Sequence, residues 1–232
     1  MKKHAEVWMS LLLILIVFLC ATNLKKLVTN NVAKQTIVVI DAGHGGVDPG
    51  KVAVNNTLEK DINLSIALLV KEKLAANGIT VVMTRESDKG LYPEDCSNKK
   101  SADMQNRCSI IEASDCLLTV SIHQNSYHEE DVSGPQVFYY KNSDNGKALA
   151  EMLQTKLVEN LNPPKIRTAK SNDNYYLLKN SPCPTVIVEC GFLSNWEEAT
   201  LLCDNIYQEK VASAIVDGIL EYVNLFNQGE LQ

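Results

Sequence analysis

The sequence predicts an α/β domain in which strands and helices alternate along the chain. Short continuous apolar runs, typical of strands covered on both faces, occur at 37–40, 117–122 and 185–188. Each run is followed by a side chain that can bind a metal or transfer a proton: His44, His123 and Glu189. Ligands of open α/β sheets bind outside the carboxyl ends of the strands, so these three groups are candidates for one shared site.

The first half of the domain contains two strands and two helices. After the strand at 37–40, residues 60–77 place apolar side chains on one helical face, and Gly78 supplies the stop signal. A strand is predicted at 79–83, and the polar, turn-rich segment 84–100 is predicted to be a surface loop. A second helix follows at about 102–113.

The second half contains the strands at 117–122, 136–140 and 185–188. A helix is predicted at 146–160, where Pro163 and Pro164 end it, and a final amphipathic helix covers 206–226. A length of 232 residues with 45% hydrophobic content suits one domain with a sizeable core. We therefore assign 36–226 to one catalytic domain and 227–232 to a tail.

The N-terminus has a different character. Met1-Lys2-Lys3 precedes an apolar stretch of about fifteen residues that ends near Ala21, which predicts a signal peptide or short membrane anchor over 1–27 and a linker over 28–35. Cys20 follows Leu19, which fits neither a lipoprotein signal nor a small-x-small cleavage site, so an uncleaved anchor is favoured. Export to the outer side of the cytoplasmic membrane or the cell wall is the expectation.

The net charge excludes one class of partner, and the cysteine spacing indicates the state of the thiols. The chain has a net charge of −6, and without residues 1–27, which hold four lysines and Glu6, the charge is −9. Nucleic acid is therefore excluded as a partner, because its binding requires a basic surface. Six of the seven cysteines lie outside the apolar segment without a disulfide-framework spacing or a Cys-x-x-Cys motif, which favours mainly free thiols.

Four residues form a candidate hydrolytic site. A catalytic zinc commonly takes three imidazole or carboxylate ligands and leaves a position for water, and His44, Glu59 and His123 supply such a set. Glu189 is then free to act as general base and acid. The alternatives are a turn-closing His44, a solvated Glu59 in the first turn of a helix, and a buried His123 with satisfied hydrogen bonds.

Further polar residues are weaker candidates. Asp41 could orient a ligand from behind, and Asn125 and Arg167 could contact substrate. Tyr175 and Tyr176 could also contact a sugar or peptide, although an interpretation as aromatic residues of a strand is at least as good. Arg167 fits an ordinary surface cation equally well. His128 lies in a charged stretch and is expected to be a solvated loop residue rather than a ligand.

Five motifs in order resemble those of the zinc-dependent N-acetylmuramoyl-L-alanine amidases of the type 3 group, over about residues 36–223. They are Asp41-Ala42-Gly43-His44-Gly45-Gly46, Glu59-Lys60-Asp61-Ile62-Asn63-Leu64, Thr84-Arg85, Ser121-Ile122-His123-Gln124-Asn125 and Val188-Glu189-Cys190-Gly191-Phe192-Leu193-Ser194-Asn195. The resemblance implies a single domain with a largely parallel, roughly six-stranded sheet and helices on both faces. It also implies one Zn²⁺ held by His44, Glu59 and His123, with Glu189 as catalytic acid/base.

The reaction implied by the resemblance is cleavage of the amide between the lactyl group of muramic acid and L-alanine in peptidoglycan. The short form of the chain and residues 91–93 and 134–140 resemble the sporulation and germination members, which implies a step towards muramic lactam in spore cortex, in the space around the forespore. Because members of the wider family often depend on an activator, we hypothesise a partner protein, for instance a membrane-attached one. The alternatives are a vegetative wall amidase, a zinc hydrolase of small peptides and a non-catalytic wall-binding scaffold.

Overall fold

A computed structural model describes residues 36–231. They form a six-stranded sheet with the strand order β2-β1-β3-β6-β4-β5. The strands are β1 (Ile37–Ala42), β2 (Thr80–Met83), β3 (Leu118–Asn125), β4 (Gln136–Tyr140), β5 (Lys170–Asn172) and β6 (Thr185–Phe192). The helices are α1 (Glu59–Ala76), α2 (Lys99–Ala113), α3 (Asp144–Leu161), α4 (Tyr176–Asn180), α5 (Trp196–Leu202) and α6 (Asn205–Gln228).

The sheet is mostly parallel, as predicted. Strands β2, β1, β3 and β6 run parallel to one another, whereas β4 pairs antiparallel with β6, and β5 runs parallel to β4. The carboxyl ends of β1, β3 and β6 therefore meet at one edge, with His123 paired in register with Glu189. This arrangement is what brings distant parts of the sequence into one site.

Helices cover both faces of the sheet, because side chains on a strand alternate between faces. Val38 and Ile40 of β1 pack in the main core with residues of α1, α3 and α6, such as Ile66, Leu153 and Ile215. On the opposite face, Val39 packs with Ile111 of α2 and Leu177 of α4. The expectation of helices on both faces is confirmed.

Side-chain caps explain where several helices begin. The Asn98 side chain accepts a hydrogen bond from Ser101 N, so α2 begins at Lys99 rather than near residue 102. The Ser143 side chain accepts from Gly146 N, so α3 begins at Asp144, two residues before the predicted start. Asn195 and Asp204 cap α5 and α6 in the same way.

Further differences from the sequence-based expectation concern β3, β6 and α4. Strands β3 and β6 continue three to four residues past the apolar runs, because they pair with each other as far as Asn125 and Phe192. His123 and Glu189 consequently lie inside strands rather than after them. The interpretation of Tyr175 and Tyr176 as strand aromatics was wrong, because Tyr175 precedes and Tyr176 begins the short helix α4.

The predicted anchor at 1–27 and linker at 28–35 lie outside the described residues. Within residues 36–231, no helix combines the length and apolar character needed to cross a bilayer. The cysteines of this part of the chain, Cys96, Cys108, Cys116, Cys183, Cys190 and Cys203, are free thiols.

Candidate active site

The three predicted ligand residues meet at the carboxyl edge of the sheet. His44 lies in the loop after β1 with φ 61°, Glu59 is the first residue of α1, and His123 lies on β3. His44 Nε2 is 3.1 Å from Glu59 Oε1, and His123 Nδ1 is 3.0 Å from the same oxygen. One donor atom from each residue lies within 4.8 Å of the others. The structure therefore brings together the set expected to bind a metal.

The buried carboxylate of Glu59 is held by backbone as well as by the two imidazoles. Its Oε1 accepts hydrogen bonds from Gln124 N at 3.1 Å and Asn63 Nδ2 at 3.3 Å, and its Oε2 accepts from Lys51 N at 2.8 Å. Burial raises its pKa, but the hydrogen bonds of His123 and His44 hold that pKa well below the usual range of a glutamate. Glu59 is therefore a fixed negative charge rather than a solvated residue of the first helical turn.

Burial alone would lower the pKa of His44, but the hydrogen bonds and charges of Glu59 and Asp48 raise it to about 9. The two imidazole rings meet edge to face, with centroids 4.9 Å apart and an interplanar angle of 77°. His44 Nε2 and His123 Nδ1 both face Glu59 Oε1, so the space between these three atoms favours a positive charge. A divalent cation provides that charge while both imidazoles stay neutral, so the donor set fits a metal such as zinc.

Asp48 is a site residue that the sequence analysis did not identify. Its Oδ2 lies 2.9 Å from His44 Nδ1, the ring nitrogen that points away from Glu59, and its Oδ1 accepts from Gly50 N at 3.0 Å. A carboxylate on the far nitrogen fixes the tautomer and orientation of a ligating histidine. The signal was present in the sequence, because Asp48 follows His44 by four residues in the same glycine-rich loop.

Two glycines allow the ligands to approach so closely. A side-chain Cβ at Gly43 would overlap the imidazole ring of His123. Gly50 has φ 66°, and a Cβ there would clash with the Glu59 carboxylate and the His44 ring. Glycine at both positions is thus required by space, and at Gly50 also by backbone conformation.

Glu189 lies beside this cluster on the neighbouring strand. It is 8% exposed, and among the described residues its Oε2 has no hydrogen-bond partner. Burial raises its pKa to about 7, against the opposing charges of His123 and His44. The following residue, Cys190, points to the other face and is fully buried in the main core, as alternation on a strand requires. Glu189 is therefore placed to exchange a proton near neutral pH.

A cavity of about 460 Å³ opens over the site and includes His44, His123 and Glu189 among its walls. Most of its remaining wall is apolar or aromatic, from Val47, Pro49, Tyr92, Met104, Tyr175, Tyr176, Leu177 and Ile187. Lys99 and Lys100 at the start of α2 add positive charge. The cavity has the size of a small-ligand site and combines apolar walls with charged and polar groups.

Among the described residues no hydrogen bond joins Asp41 to the imidazole of His44 or His123, so its expected role in orienting a ligand would be indirect. It is buried and accepts hydrogen bonds from Thr84 Oγ1 at 2.6 Å, from Ser121 Oγ and from Arg107 Nη1. Arg107 in turn donates to His44 O at 2.6 Å and Ala42 O at 2.8 Å. Asp41 therefore anchors an arginine that holds the backbone of the ligand loop.

A second buried arginine holds the same loop. Arg85 donates to Ala42 O at 2.8 Å, to Gly43 O at 2.9 Å and to Lys60 O at 2.8 Å. It thus ties the loop that carries His44 to the first turn of α1, which carries Glu59. The relative placement of these two residues depends on the contacts of Arg85.

The remaining candidates lie away from the ligand cluster. Asn125 Oδ1 accepts from Ser126 N, and the Arg167 guanidinium donates to Ser133 O and lies 4.7 Å from the centre of the Phe192 ring. Neither side chain is among those that line the cavity, and their contact with substrate stays a prediction. His128 is exposed and lies near Glu129, outside the ligand cluster.

Comparison with known proteins identifies the family of the chain. Residues 38–221 match the Amidase_3 family, described as N-acetylmuramoyl-L-alanine amidase. A germination-specific N-acetylmuramoyl-L-alanine amidase of Bacillus subtilis is 42% identical over 189 residues, which cover 80% of this chain and 79% of the relative.

Solved structures show the same fold at substantial identity. The CwlD amidase from Clostridioides difficile, in complex with the GerS lipoprotein, has a TM-score of 0.79 at 40% identity, covering 82% of this chain and 99% of that one. The catalytic domain of CwlV from Bacillus (Paenibacillus) polymyxa has a TM-score of 0.73 at 31% identity, covering 82% and 98%. The chain therefore belongs to the Amidase_3 family of N-acetylmuramoyl-L-alanine amidases, which are peptidoglycan-hydrolysing enzymes.

Proposed function

We propose that the chain is a zinc-dependent amidase that cleaves the bond between the lactyl group of N-acetylmuramic acid and L-alanine. Family membership supports the bond that is cut. The observation that carries the proposal is the convergence of His44, Glu59 and His123 within 4.8 Å beside the buried carboxylate of Glu189. A ligand set and a proton-transfer group in one cavity are the parts that metal-assisted amide hydrolysis needs.

His44, Glu59 and His123 would hold one Zn²⁺, with Asp48 fixing the orientation of His44. Zinc supplies a Lewis acid that polarises an amide carbonyl and lowers the pKa of a water molecule towards ~7. Two neutral imidazoles and one carboxylate leave the site with one net positive charge, which favours that polarisation. The buried Arg85 and Arg107 hold the ligand loop from behind, so the donors are arranged before the metal binds.

Glu189 is the residue that moves the proton. Because burial raises its pKa to about 7, it can accept a proton from the attacking water and then deliver it to the nitrogen of the leaving L-alanine. Its unpartnered Oε2 leaves one oxygen for this exchange among the described residues. A carboxylate already paired with an arginine, as Asp41 is, would hold no proton at neutral pH.

The cavity walls favour a substrate that presents both apolar and charged groups. Tyr175, Tyr176 and Leu177 of the α4 region contribute aromatic and apolar side chains to the wall. Lys99 and Lys100 lie at another wall and would attract carboxylates of a stem peptide. The muramyl peptide, with a sugar, a lactyl group and an acidic peptide, has this combination of properties.

The cellular role follows from the relatives. The similarity to a germination-specific amidase supports removal of stem peptides from spore cortex, as a step towards muramic lactam. We extend the proposal to an exported protein with a signal or anchor at 1–27, a linker at 28–35, a catalytic domain at 36–226 and a tail at 227–232. In a sporulating cell this location is the space around the forespore. A vegetative wall amidase is the alternative, and the N-acetylmuramoyl-L-alanine amidase LytC of Bacillus subtilis, whose name carries no germination role, is 34% identical over 207 residues.

A protein activator is part of the proposal. The solved CwlD amidase is in complex with a lipoprotein, which supports a membrane-attached partner for this chain too. We expect such a partner to promote activity or metal retention. Zinc content and turnover of the purified protein, measured with and without native extract, test this, and full activity of the protein alone would contradict it.

The main experiment measures bound zinc and the release of stem peptides with N-terminal L-alanine from purified peptidoglycan, with native extract present to supply the activator. The proteins compared are the full chain, His123→Ala and the matched control His128→Ala, which removes an exposed histidine outside the cluster. We expect zinc and peptide release in the full chain and the control, and loss of both in His123→Ala.

Three outcomes would overturn the proposal. Zinc retained by His123→Ala at the level of the full chain would contradict the ligand set. Cleavage of free peptides but not of peptidoglycan would assign the protein to zinc hydrolases of small peptides. A wall-binding scaffold without catalysis would bind peptidoglycan equally well in all three proteins and release nothing.

A further inference from the structure

Two cysteines lie side by side at the end of the sheet opposite the active site. Cys116 precedes β3 by two residues, and Cys183 precedes β6 by two residues. Because β3 and β6 are parallel neighbours, with Thr119 and Thr185 paired in register, their amino ends bring the two thiols together. The Sγ atoms are 3.0 Å apart although the residues are 67 positions apart in the sequence.

The surroundings of the pair are polar on one side. Thr119 Oγ1 lies 3.2 Å from Cys183 Sγ and 3.6 Å from Cys116 Sγ, and Thr185 Oγ1 lies 3.7 Å from Cys183 Sγ. The hydrogen bond with Cys183 lowers the pKa of Cys116 to about 6, while burial opposes that shift. A thiolate is the nucleophile in thiol–disulfide exchange, so Cys116 is the thiol prepared to attack.

Cys203 and Cys190 have different neighbours. Cys203 Sγ lies 3.2 Å from Thr57 Oγ1, and the fully buried Cys190 Sγ lies 3.8 Å from Val188 O. Burial raises the pKa of Cys108 and of Cys190, which keeps both as thiols at neutral pH. These cysteines are therefore controls for the properties of the pair.

The pair is within reach of solvent. Both residues are partly exposed, and Cys183 lines a surface cleft of about 510 Å³ with Ser143, Lys179 and Pro182. A small disulfide or the active-site loop of a thiol oxidoreductase can enter a cleft of this size. The cleft shares no residue with the catalytic cavity, so a reaction there leaves the ligand cluster untouched.

We propose that Cys116 and Cys183 form a disulfide bond by exchange with a disulfide-bearing oxidant, such as oxidised glutathione or an oxidised dithiol protein. Cys116 attacks one sulfur of the oxidant, forms a mixed disulfide and releases the first thiol. Cys183 then attacks the Cys116 sulfur, and the second thiol leaves. One disulfide is consumed and one is formed, and the two protons of the cysteines end on the two thiols released.

The geometry requires only a small movement. A disulfide has an S–S distance of about 2.05 Å, so the two sulfur atoms must approach by about 1 Å. The bond would close a long loop and tie the amino ends of the two strands whose far ends carry His123 and Glu189. Disulfides persist in oxidising compartments, and the export proposed above provides one.

The test uses the full chain, incubated with oxidised glutathione or with dithiothreitol. Free thiols are alkylated with one reagent, the protein is reduced, and the released thiols are alkylated with a second reagent. Peptide sequencing by mass spectrometry then identifies the cysteines that carry the second reagent. The melting temperature is measured for both samples and for Cys116→Ser, Cys183→Ser and the control Cys108→Ser.

The expected result is that Cys116 and Cys183 carry the second reagent after oxidation, and the protein loses 2 Da. We expect oxidation to raise the melting temperature by roughly 5–15 °C, because the bond restricts the unfolded chain. The rise should persist in Cys108→Ser and disappear in Cys116→Ser and Cys183→Ser.

Three results would overturn the proposal. They are free alkylation of both cysteines after oxidation, a stable glutathione adduct in place of the bond, or linkage of either cysteine to another one. Should the serine variants fail to fold, the comparison of oxidised and reduced wild-type protein still decides the question. The readout is thiols rather than peptide release, so its outcome is independent of the proposed amidase mechanism.

Discussion

Two buried carboxylates lie near the carboxyl ends of the parallel strands and have opposite environments. Asp41 on β1 accepts hydrogen bonds from Thr84, Ser121 and Arg107, and although burial opposes it, these partners lower its pKa to about 2. Glu189 on β6 has one unpartnered oxygen within the described residues, and burial raises its pKa to about 7. A carboxylate whose oxygens are occupied by hydrogen bonds and an arginine stabilises the structure. A buried carboxylate with a free oxygen can instead take up and release a proton near neutral pH.

The largest effect is expected when the ionisable group of Glu189 is removed. In Glu189→Gln we expect peptide release to fall by about 10²–10⁴-fold at unchanged zinc content, because general acid–base catalysis is lost. Initial rates on purified peptidoglycan, normalised to bound zinc, measure this. The exposed Glu197→Gln on α5 is the control and should keep full activity. A Glu189→Gln rate within tenfold of wild type would contradict the assigned role.

Removing the partner of Asp41 should instead damage stability. Arg107→Met leaves a buried carboxylate without its cation, and we expect the free energy of unfolding to fall by about 3–5 kcal/mol. Urea denaturation measures the loss. The double variant Asp41→Asn/Arg107→Met should lose less than the sum of the two single variants, since the two residues are coupled. Additive losses would show that the ion pair is not the source of the effect.

Acid should weaken the Asp41 network. The folded-state pKa of about 2 lies below the unfolded value near 3.9, so the stabilisation is present above about pH 4 and lost as pH falls towards 2. The expected loss is about 2 kcal/mol. Denaturation curves at several pH values should show the stability difference between wild type and Asp41→Asn shrinking over this range. A constant difference would be evidence against a depressed pKa.

The smallest effect is expected from a change of Asp48 in the ligand loop. Asp48→Asn keeps an acceptor for Gly50 N, but the NH₂ group that replaces Oδ2 cannot accept a hydrogen bond from His44 Nδ1. We expect zinc affinity to fall by about 10–100-fold with little change in stability. Competition with a zinc chelator measures the affinity, and Asp173→Asn, an exposed aspartate paired with Lys141, is the control. Equal affinities in the two variants would remove Asp48 from the site.

The main strands and long helices could be predicted because their signals are local. Apolar runs marked β1, β3 and β6, and residues such as Gly78 and Pro163 marked helix ends. The short elements β5, α4 and α5 carry too few residues for periodicity to show. The extra length of β3 and β6 comes from pairing between them, which no single segment encodes.

The same division applies to the site. His44, His123 and Glu189 could be selected from position and chemistry, because each follows a predicted strand. Glu59 alone fits a solvated residue of the first helical turn equally well, so its selection depended on the resemblance to the amidase motifs. The roles of Asp41 and Arg107 could not, since Arg107 lies 66 positions away on α2 and reaches the loop only through tertiary packing. The Cys116–Cys183 pair was hidden for the same reason, because sequence spacing does not identify which strands are neighbours.

The tight fit of Gly43 against the His123 ring affects how relatives should be judged. A mutation of this glycine to alanine would displace the His123 imidazole without altering any of the four residues proposed to bind zinc or transfer the proton. Gly50 acts similarly on Glu59 and His44. A homologue could therefore retain both histidines and both glutamates and still be a pseudoenzyme. In mutational scans, positions 43 and 50 should tolerate substitution as poorly as the ligands, and inspection of these two glycines is needed before a related sequence is counted as active.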